Sequence, residues 1–508
     1  MIVKGTEKTF NVAAELIGDS PSIRGNKVAI YCGDARVTYG DQEQNTNRFA
    51  NLLRDMGVRP TERVMILLPD SPMFVYSFLG SIKLGAWPVP VNTMLEEYDY
   101  EYLLQDSEAR VLVTTTDSKA AGMATDHLRQ TVFPDQGFEA MLRGASCEMD
   151  PYMARPEDIA FWLYSSGSTG KPKGTLHKQI SMLYTANTYA KHVLRISEED
   201  VCFSVSKLFF AYGLGNSLTF PIRFGASTVL LSERPTPELV METLQKHRPT
   251  VFFGVPTQYN SMLKKMNALG LDRVRLCASA GEALPPEVFR QWKTKTGLEI
   301  LDGIGSTEAL HIFISNRPGE IKEGTSGRLV PGYEAKIIDD EGMETPAGEV
   351  SNLLIRGTSI TPGYWNRPED NQEKILGDGW FRTGDMYSQE DGYFTYHGRG
   401  DDMLKVGGLW VSPVEIEYAL LEHPAISECA VVGHEVEGLI KPFAYAVLHK
   451  GCDPAAEKEL TEKLLKFLAG KLPKFKIPWD IRFIDELPKT ATGKIQRFKL
   501  RAKGAEWA

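Results

Sequence analysis

The sequence predicts an α/β fold: a large N-terminal domain of α/β sheets plus a small barrel-like subdomain, followed by a small α+β C-terminal domain. Three observations carry that expectation. Over residues 1–155, apolar runs of strand length alternate with stretches of helical spacing. Between residues 250 and 308, three more apolar runs each end in a loop of small residues. At Gly398-Arg-Gly-Asp-Asp402 the composition shifts, which sets domain limits of 1–400 and 401–508.

In chain order, Val28-Ala-Ile-Tyr31 and Val64-Met-Ile-Leu-Leu68 read as strands. Asp41 to Met56 has helical spacing, with Phe49, Leu52, Leu53 and Met56 on one face and Gly57 as the C-cap. Met73 to Val91 is the most membrane-like window, but Lys83, Pro88 and Pro90 interrupt it. It reads as a buried helix followed by a strand. Ala109-Arg-Val-Leu-Val113 is another strand, and Gly122 to Glu148 has no usable periodicity. Thr250-Val-Phe-Phe-Gly254, Val274-Arg-Leu-Cys277 and Glu299-Ile-Leu301 read as buried parallel strands, whose carboxyl ends are where ligands sit. Glu334-Ala-Lys-Ile-Ile338 and Ser351-Asn-Leu-Leu-Ile355 fall in a turn-rich stretch, 327–400, that suits a small antiparallel or barrel-like unit.

The most informative stretch is Tyr164-Ser-Ser-Gly-Ser-Thr-Gly-Lys-Pro-Lys-Gly174, entered from the apolar run Ile159-Ala-Phe-Trp-Leu-Tyr164 and followed by His177 and a helix-like segment. Its glycines let the backbone approach a ligand closely, its successive N–H groups form an anion-binding concavity, and its hydroxyls and ammoniums add donors. A flexible linker would not follow a buried strand and carry two lysines. The P-loop of common nucleoside triphosphatases is excluded, because it needs glycine at Ser165 and a hydroxyl residue at Pro172.

Residue for residue, that stretch resembles the phosphate loop of the adenylate-forming superfamily, which includes the acyl-CoA synthetases, luciferases and peptide-synthetase adenylation domains. The likeness continues from about residue 25 to residue 500. It implies an ATP grip at Ser165, Ser166, Gly167, Ser168, Thr169, Gly170, Lys171 and Lys173. It also implies adenine-lining loops at Ala280, Gly281, Glu282, Ala283 and at Asp302, Gly303, Ile304, with Ile304 where an aromatic residue is common. Gly305-Ser-Thr-Glu308 is similar to the second adenylation signature, implying that Thr307 touches the α-phosphate and Glu308 is the Mg²⁺ ligand. Phe381-Arg-Thr-Gly-Asp385 is similar to the third, implying that Asp385 holds the ribose, with Arg399 beside it and Tyr396 against the adenine. Leu404-Lys-Val-Gly-Gly-Leu-Trp-Val-Ser-Pro-Val-Glu-Ile-Glu417 resembles the segment lining the thiol tunnel of CoA, at Gly407 and Gly408. Pro488-Lys-Thr-Ala-Thr-Gly-Lys494 resembles the loop of the catalytic lysine, Lys494. These two sets serve two steps from one small domain, so that C-terminal domain is expected to be mobile, with its hinge at Asp401.

Within the superfamily, Lys207-Leu-Phe-Phe-Ala-Tyr-Gly-Leu-Gly-Asn216 and Asp302-Gly-Ile-Gly-Ser-Thr-Glu308 with His311 look like the benzoate-CoA ligase branch. The resemblance implies an aryl-acid pocket formed by Phe210, Ala211, Tyr212, Gly213, Gly305, Ser306 and His311, with Lys405 neutralising the substrate carboxylate or the adenylate phosphate. Flat walls of glycine and aromatic rings suit a planar ring. Benzoate, 2-aminobenzoate and hydroxybenzoates all stay open.

Composition fits this reading. A net charge of −9 argues against a nucleic-acid or anionic-membrane binder, although residues 441–508 carry 15 Lys+Arg against 8 Asp+Glu, a surplus of 7 that suits an anionic ligand. Six scattered cysteines without a C-x-x-C pair give neither a zinc site nor a disulfide framework, and a cytoplasmic location is the expectation, with no signal peptide visible. The expected partners are an aromatic carboxylic acid, ATP and CoA, with no nucleic acid and no membrane, and with a homodimer left open. One competing reading is a stand-alone adenylating enzyme that loads a carrier-protein thiol. Another is a non-catalytic adenylate-binding scaffold, which should have lost Glu308 or Lys494; both are present.

Overall fold

A computed structural model describes residues 9–165, 171–265, 270–406, 409–436, 438–449, 457–489 and 495–504. Its largest sheet has nine strands. The order is Arg328–Leu329, Ile312–Ser315, Ile300–Gly305, Leu276–Ser279, Val251–Gly254, Val201–Ser204, Ser227–Leu230, Val28–Cys32 and Ala35–Thr38. The strands from Ile300–Gly305 to Val28–Cys32 run parallel, and the edges at both ends turn antiparallel. A second, all-parallel sheet contains Trp87–Pro90, Arg63–Leu67, Val111–Thr114 and Gln130–Val132. Apolar residues on both faces of these strands are buried, as expected where helices cover a parallel sheet on each side.

Helix formation follows the sequence closely. Tyr39–Asp55 is a helix that opens on a capping box, in which Thr38 and Asp41 satisfy each other's backbone donors. The membrane-like window is the buried helix Pro72–Leu84 and the strand Trp87–Pro90. Lys83, only 5% exposed, lies within that helix and donates to Asn47 Oδ1 at 2.5 Å. Among the described residues no helix is long and apolar enough to cross a membrane. The stretch without periodicity contains the short strand Gln130–Val132 and the helix Phe138–Gly144.

Two expectations change. The helix-like segment expected after His177 forms, but a strand that the sequence did not suggest precedes it. Ile159–Ser165 pairs antiparallel with a second strand, Lys173–Lys178, and the helix starts only at Gln179. His177 therefore sits in a strand, stacked on Phe161 with ring centroids 4.8 Å apart. Likewise Asp302–Gly305 is the end of the strand Ile300–Gly305 rather than a loop, because Gly303 and Ile304 pair with Ser315 and Ile314. Backbone pairing outweighs the loop preference of glycine at both places.

The turn-rich segment forms a four-stranded antiparallel sheet in the order Glu334–Ile338, Ser351–Arg356, Trp380–Glu390 and Tyr393–Arg399. Beyond it, the smaller C-terminal domain contains the hairpin Leu404–Val406 and Leu409–Val411 and a sheet of Ile426–Val436, Leu439–Leu448 and Asp480–Phe483. Its own apolar core gathers Ile416, Leu420, Val431, Ala444, Leu464 and Leu468. Lys264 of the large domain donates to Ser427 Oγ at 2.8 Å across the boundary. Under the glycine-rich hairpin three indoles meet: Trp162 lies 5.0 Å from Trp365 and 6.3 Å from Trp87, centroid to centroid.

Candidate active site

The glycine-rich hairpin is held at its base. Thr175 Oγ1 donates to Ser165 Oγ at 3.3 Å, and the Lys171 ammonium sits 4.8 Å from the centroid of the Tyr102 ring. Lys173 forms an ion pair with Asp370 and lies 5.8 Å over the ring of Tyr364. Ser166, Gly167, Ser168, Thr169 and Gly170 lie outside the described residues.

Glu308 follows the strand Ile300–Gly305, on a tight turn. The turn closes through Ala309 N–H donating to Ser306 Oγ at 3.1 Å and Leu310 N–H to the Thr307 carbonyl at 2.9 Å. The Tyr364 hydroxyl donates to Glu308 Oε1 at 3.0 Å. Burial and the neighbouring carboxylate push the Tyr364 hydroxyl far up, so it remains a protonated donor at neutral pH. Among the described residues no three His, Cys, Asp or Glu side chains gather as a metal cage. A single half-buried carboxylate nevertheless fits Mg²⁺, which keeps water and phosphate oxygens as most of its ligands.

Arg399 donates through Nη1 to Asp385 Oδ1 at 3.1 Å and to the Thr383 carbonyl at 3.0 Å, while Asp385 N–H donates to Thr383 Oγ1. Burial raises the Asp385 carboxyl and Arg399 opposes that shift. Tyr396 packs against Tyr387 with centroids 5.5 Å apart. Asp302 is buried at the end of its strand, and Oδ1 has no hydrogen-bond partner among the described residues. Burial pushes that carboxyl well up, against hydrogen bonds from the backbone of Leu284 and Gly303 that lower it. Ala280, Gly281, Glu282 and Ala283 follow the neighbouring strand Leu276–Ser279.

The expected aryl segment and His311 are brought together. Phe210 caps the short helix Ala211–Leu214, its ring 4.6 Å from that of Phe209. His311 packs among Tyr189, Tyr212 and Phe220, at centroid distances of 5.3, 5.4 and 4.6 Å. Burial pushes its imidazole down to about 3, so the ring is neutral. Nε2 faces the Tyr212 carbonyl at 3.3 Å and Asn216 Oδ1 at 3.2 Å. A carbonyl can only accept, so the proton is on Nε2 and Nδ1 is a buried acceptor without a described partner.

At Gly213 and Gly305 the missing side chain makes room for neighbouring backbone. A Cβ on Gly213 would stand 2.0 Å from the Lys207 carbonyl oxygen, and one on Gly305 2.6 Å from that of His311. Both absences allow one backbone to cross another, so a larger residue at Gly305 tests strand pairing rather than pocket volume. Ala211, 8% exposed, is the position at which added bulk tests the pocket. Lys405 is exposed on its hairpin, 5.7 Å from the centroid of Trp410.

Asp401 lies on the exposed turn Gly400–Asp402, and the adjacent Asp402 accepts from Arg501 at 2.7 Å. Gly407, Gly408 and Lys494 lie outside the described residues. The flanks of the Lys494 segment are pinned by Gln496 N–H donating to the Pro488 carbonyl at 2.8 Å. Arg497 donates through Nη2 to both carboxylate oxygens of the buried Glu417, each at 2.8 Å. Sequence reasoning missed Tyr364 and Asp370. The dipeptide Gly363-Tyr364 after a strand was the available signal, and it names no chemistry by itself.

These features define a two-domain nucleotide-activating protein, and the sequence patterns agree. The AMP-binding enzyme pattern matches residues 19–365 and the AMP-binding enzyme C-terminal domain matches residues 415–494, so the chain belongs to the AMP-binding enzyme family. Among relatives, it is 47% identical to the benzoate–CoA ligase of Thauera aromatica, covering 97% of this chain and 96% of that one. A benzoate CoA ligase from Burkholderia xenovorans LB400 superposes with a TM-score of 0.90 at 44% identity, over 97% of this chain and all of the other. An anthranilate CoA ligase solved with anthranoyl-AMP superposes with a TM-score of 0.93 at 40% identity, over 99% of both chains.

Proposed function

We propose that this chain is an ATP-dependent aryl-CoA ligase: it converts benzoate or a substituted benzoate such as 2-aminobenzoate to aryl-AMP with release of pyrophosphate, then transfers the aryl group to the thiol of CoA with release of AMP. The observation that carries the reading is the likeness, over 99% of both chains, to a ligase that holds an aryl-adenylate.

In this reading the phosphate hairpin cradles the β- and γ-phosphates with Lys171 and Lys173. Asp385 accepts from the ribose hydroxyls and Arg399 fixes its carboxylate, while Asp302, Tyr396 and the 280–283 loop line the adenine. Glu308 is the carboxylate that would hold Mg²⁺, which supplies charge neutralisation on the triphosphate as the acid attacks. Thr307 donates to the α-phosphate. Lys494 brings its ammonium to the charge that develops there. The aryl ring lies against Phe210, Ala211 and Tyr212, with neutral His311 behind them. Asp401 is the pivot about which residues 401–508 turn, so that Gly407 and Gly408 open a thiol tunnel in the second step and Lys405 faces the adenylate. Described cysteines are all free thiols, which suits a reducing cytoplasm, and sedimentation would read whether two copies associate.

The test is AMP release that depends on added CoA, measured across benzoate, 2-aminobenzoate, hydroxybenzoates, short-chain and long-chain acids. Aryl acids should lead the series. Turnover of fatty acids above aryl acids refutes the substrate class, and turnover only with an acyl carrier protein in place of CoA refutes the acceptor. Glu308→Gln should abolish ATP–pyrophosphate exchange at ordinary Mg²⁺ concentrations; exchange at the parental rate with parental Mg²⁺ dependence would sink the metal assignment.

A further inference from the structure

One segment, residues 359–371, touches both halves of the phosphate site. On one side, Ser359 Oγ donates to the Ala309 carbonyl at 2.8 Å and Thr361 N–H to the Glu308 carbonyl at 2.7 Å. On the other, Thr361 Oγ1 donates to the Leu176 carbonyl at 2.7 Å, and Trp365 N–H to that of Gly174 at 2.8 Å. Asn371 folds back and brackets Tyr364, accepting its N–H at 2.7 Å and donating to its carbonyl at 3.1 Å. Tyr364 is thus immobilised from both sides, and it is 6% exposed. Its hydroxyl donates to Glu308 Oε1, and its ring lies beneath the Lys173 ammonium.

We propose that Tyr364 is a positioning residue for the metal step: its hydroxyl holds Glu308 in the rotamer that presents Oε2 to Mg²⁺. The proposal rests on the reading of Glu308 given above. The physical argument has two parts. A free glutamate side chain loses rotamer freedom when it captures an ion, and a pre-set carboxylate has already lost it. A phenol is also a neutral donor. It steadies one oxygen without cancelling the negative charge, as an arginine or lysine in the same place would. Oε2 accepts no hydrogen bond from any described residue, so the second oxygen is left to the ion. Because the same ring supports Lys173, one residue sets the spacing between the carboxylate and a phosphate-loop cation.

The variant is Tyr364→Phe in the full chain, which keeps the ring and removes only the donor. Mn²⁺ binding is measured by calorimetry with a non-hydrolysable ATP analogue present, alongside the Mg²⁺ concentration for half-maximal pyrophosphate exchange. Affinity for the analogue in excess EDTA is measured in parallel. The metal requirement should rise by about tenfold, the usual consequence of losing one hydrogen bond to a charged group, while metal-free nucleotide affinity stays put. In a Glu308→Gln background, Tyr364→Phe should add no further shift. Thr361→Val loosens the same segment without removing the phenol. An unchanged metal requirement in Tyr364→Phe overturns the proposal, as does an equal shift in Thr361→Val or a parallel loss of metal-free nucleotide affinity. If Glu308→Gln keeps the parental metal dependence, the earlier reading of Glu308 fails; if Glu308→Gln raises it and Tyr364→Phe does not, this inference alone fails.

Discussion

Asp70 should make the large domain less stable as pH rises through the mildly acidic range. The residue is 2% exposed, and burial raises its carboxyl to about 6. Leu208 N–H donates to Oδ1 at 2.9 Å, and Ser232 Oγ donates to the Asp70 carbonyl at 2.8 Å. Lys207 is nearby, but its ammonium is engaged by the carbonyls of Leu231 and Glu233. In the unfolded chain the same carboxyl ionises near 3.9. Below about pH 4 it is protonated in both states. Between about 4 and 6 the unfolded chain gives up its proton while the folded chain keeps it, so stability falls, and above about 6 the loss is complete. Holding the proton to about 6 rather than about 4 is worth on the order of 3 kcal/mol at 1.36 kcal/mol per pH unit. With an unfolding entropy near 2.1 cal/mol/K per residue over roughly 400 residues, that becomes 3–4 °C in Tm. Asp70→Asn keeps an oxygen for Leu208 and cannot ionise. Its Tm minus that of the parent, followed by differential scanning fluorimetry from pH 4 to 7, should therefore grow with pH by several degrees. A flat or shrinking difference refutes the argument that Asp70 is desolvated and uncompensated.

Other outcomes follow from the proposed site. Ala211→Phe should lower kcat/KM for benzoate by about ten- to a hundredfold through overpacking while leaving ATP affinity intact, and an unchanged ratio would put the acid elsewhere. Asp385→Asn should raise the KM for ATP by about tenfold or more, because a charge-assisted contact to the ribose is lost; equilibrium binding of ATP checks it. Asp401→Pro, which fixes φ near −65°, should keep pyrophosphate exchange and lose most thioester formation, whereas Lys494→Ala should do the reverse when given preformed aryl-AMP. Equal loss of both half-reactions in both variants would refute a turning domain.

The sequence made the parallel strands legible because Val64–Leu68 and Val251–Phe253 are unbroken apolar runs, as strands buried on both faces must be. The strand Lys173–Lys178 escaped notice because lysines and a glycine conceal its pairing with an apolar partner. Gly303 and Gly305 read as loop for a similar reason: their lack of a side chain is demanded by the partner strand, which a linear reading does not display. The motif residues around Asp385 and Glu308 stood out because they follow one another in the order that the family resemblance implies. Tyr364 and Asp370 were not, since their meaning depends on Glu308 and Lys173, which lie 56 and 197 positions away in the chain.

The three indoles beneath the glycine-rich hairpin have an optical consequence. Chromophores 5.0 to 6.4 Å apart mix their excited states, so Trp87, Trp162 and Trp365 should give a coupled near-ultraviolet dichroism that depends on their mutual angles. Trp365 is tied through its backbone to Gly174 and lies 5.4 Å below the Arg63 guanidinium, so small rotations of the hairpin alter both its orientation and its local field. In the proposed site, nucleotide arriving at the hairpin would then be visible in the circular dichroism of the unlabelled chain, at the wavelengths where ATP itself is silent.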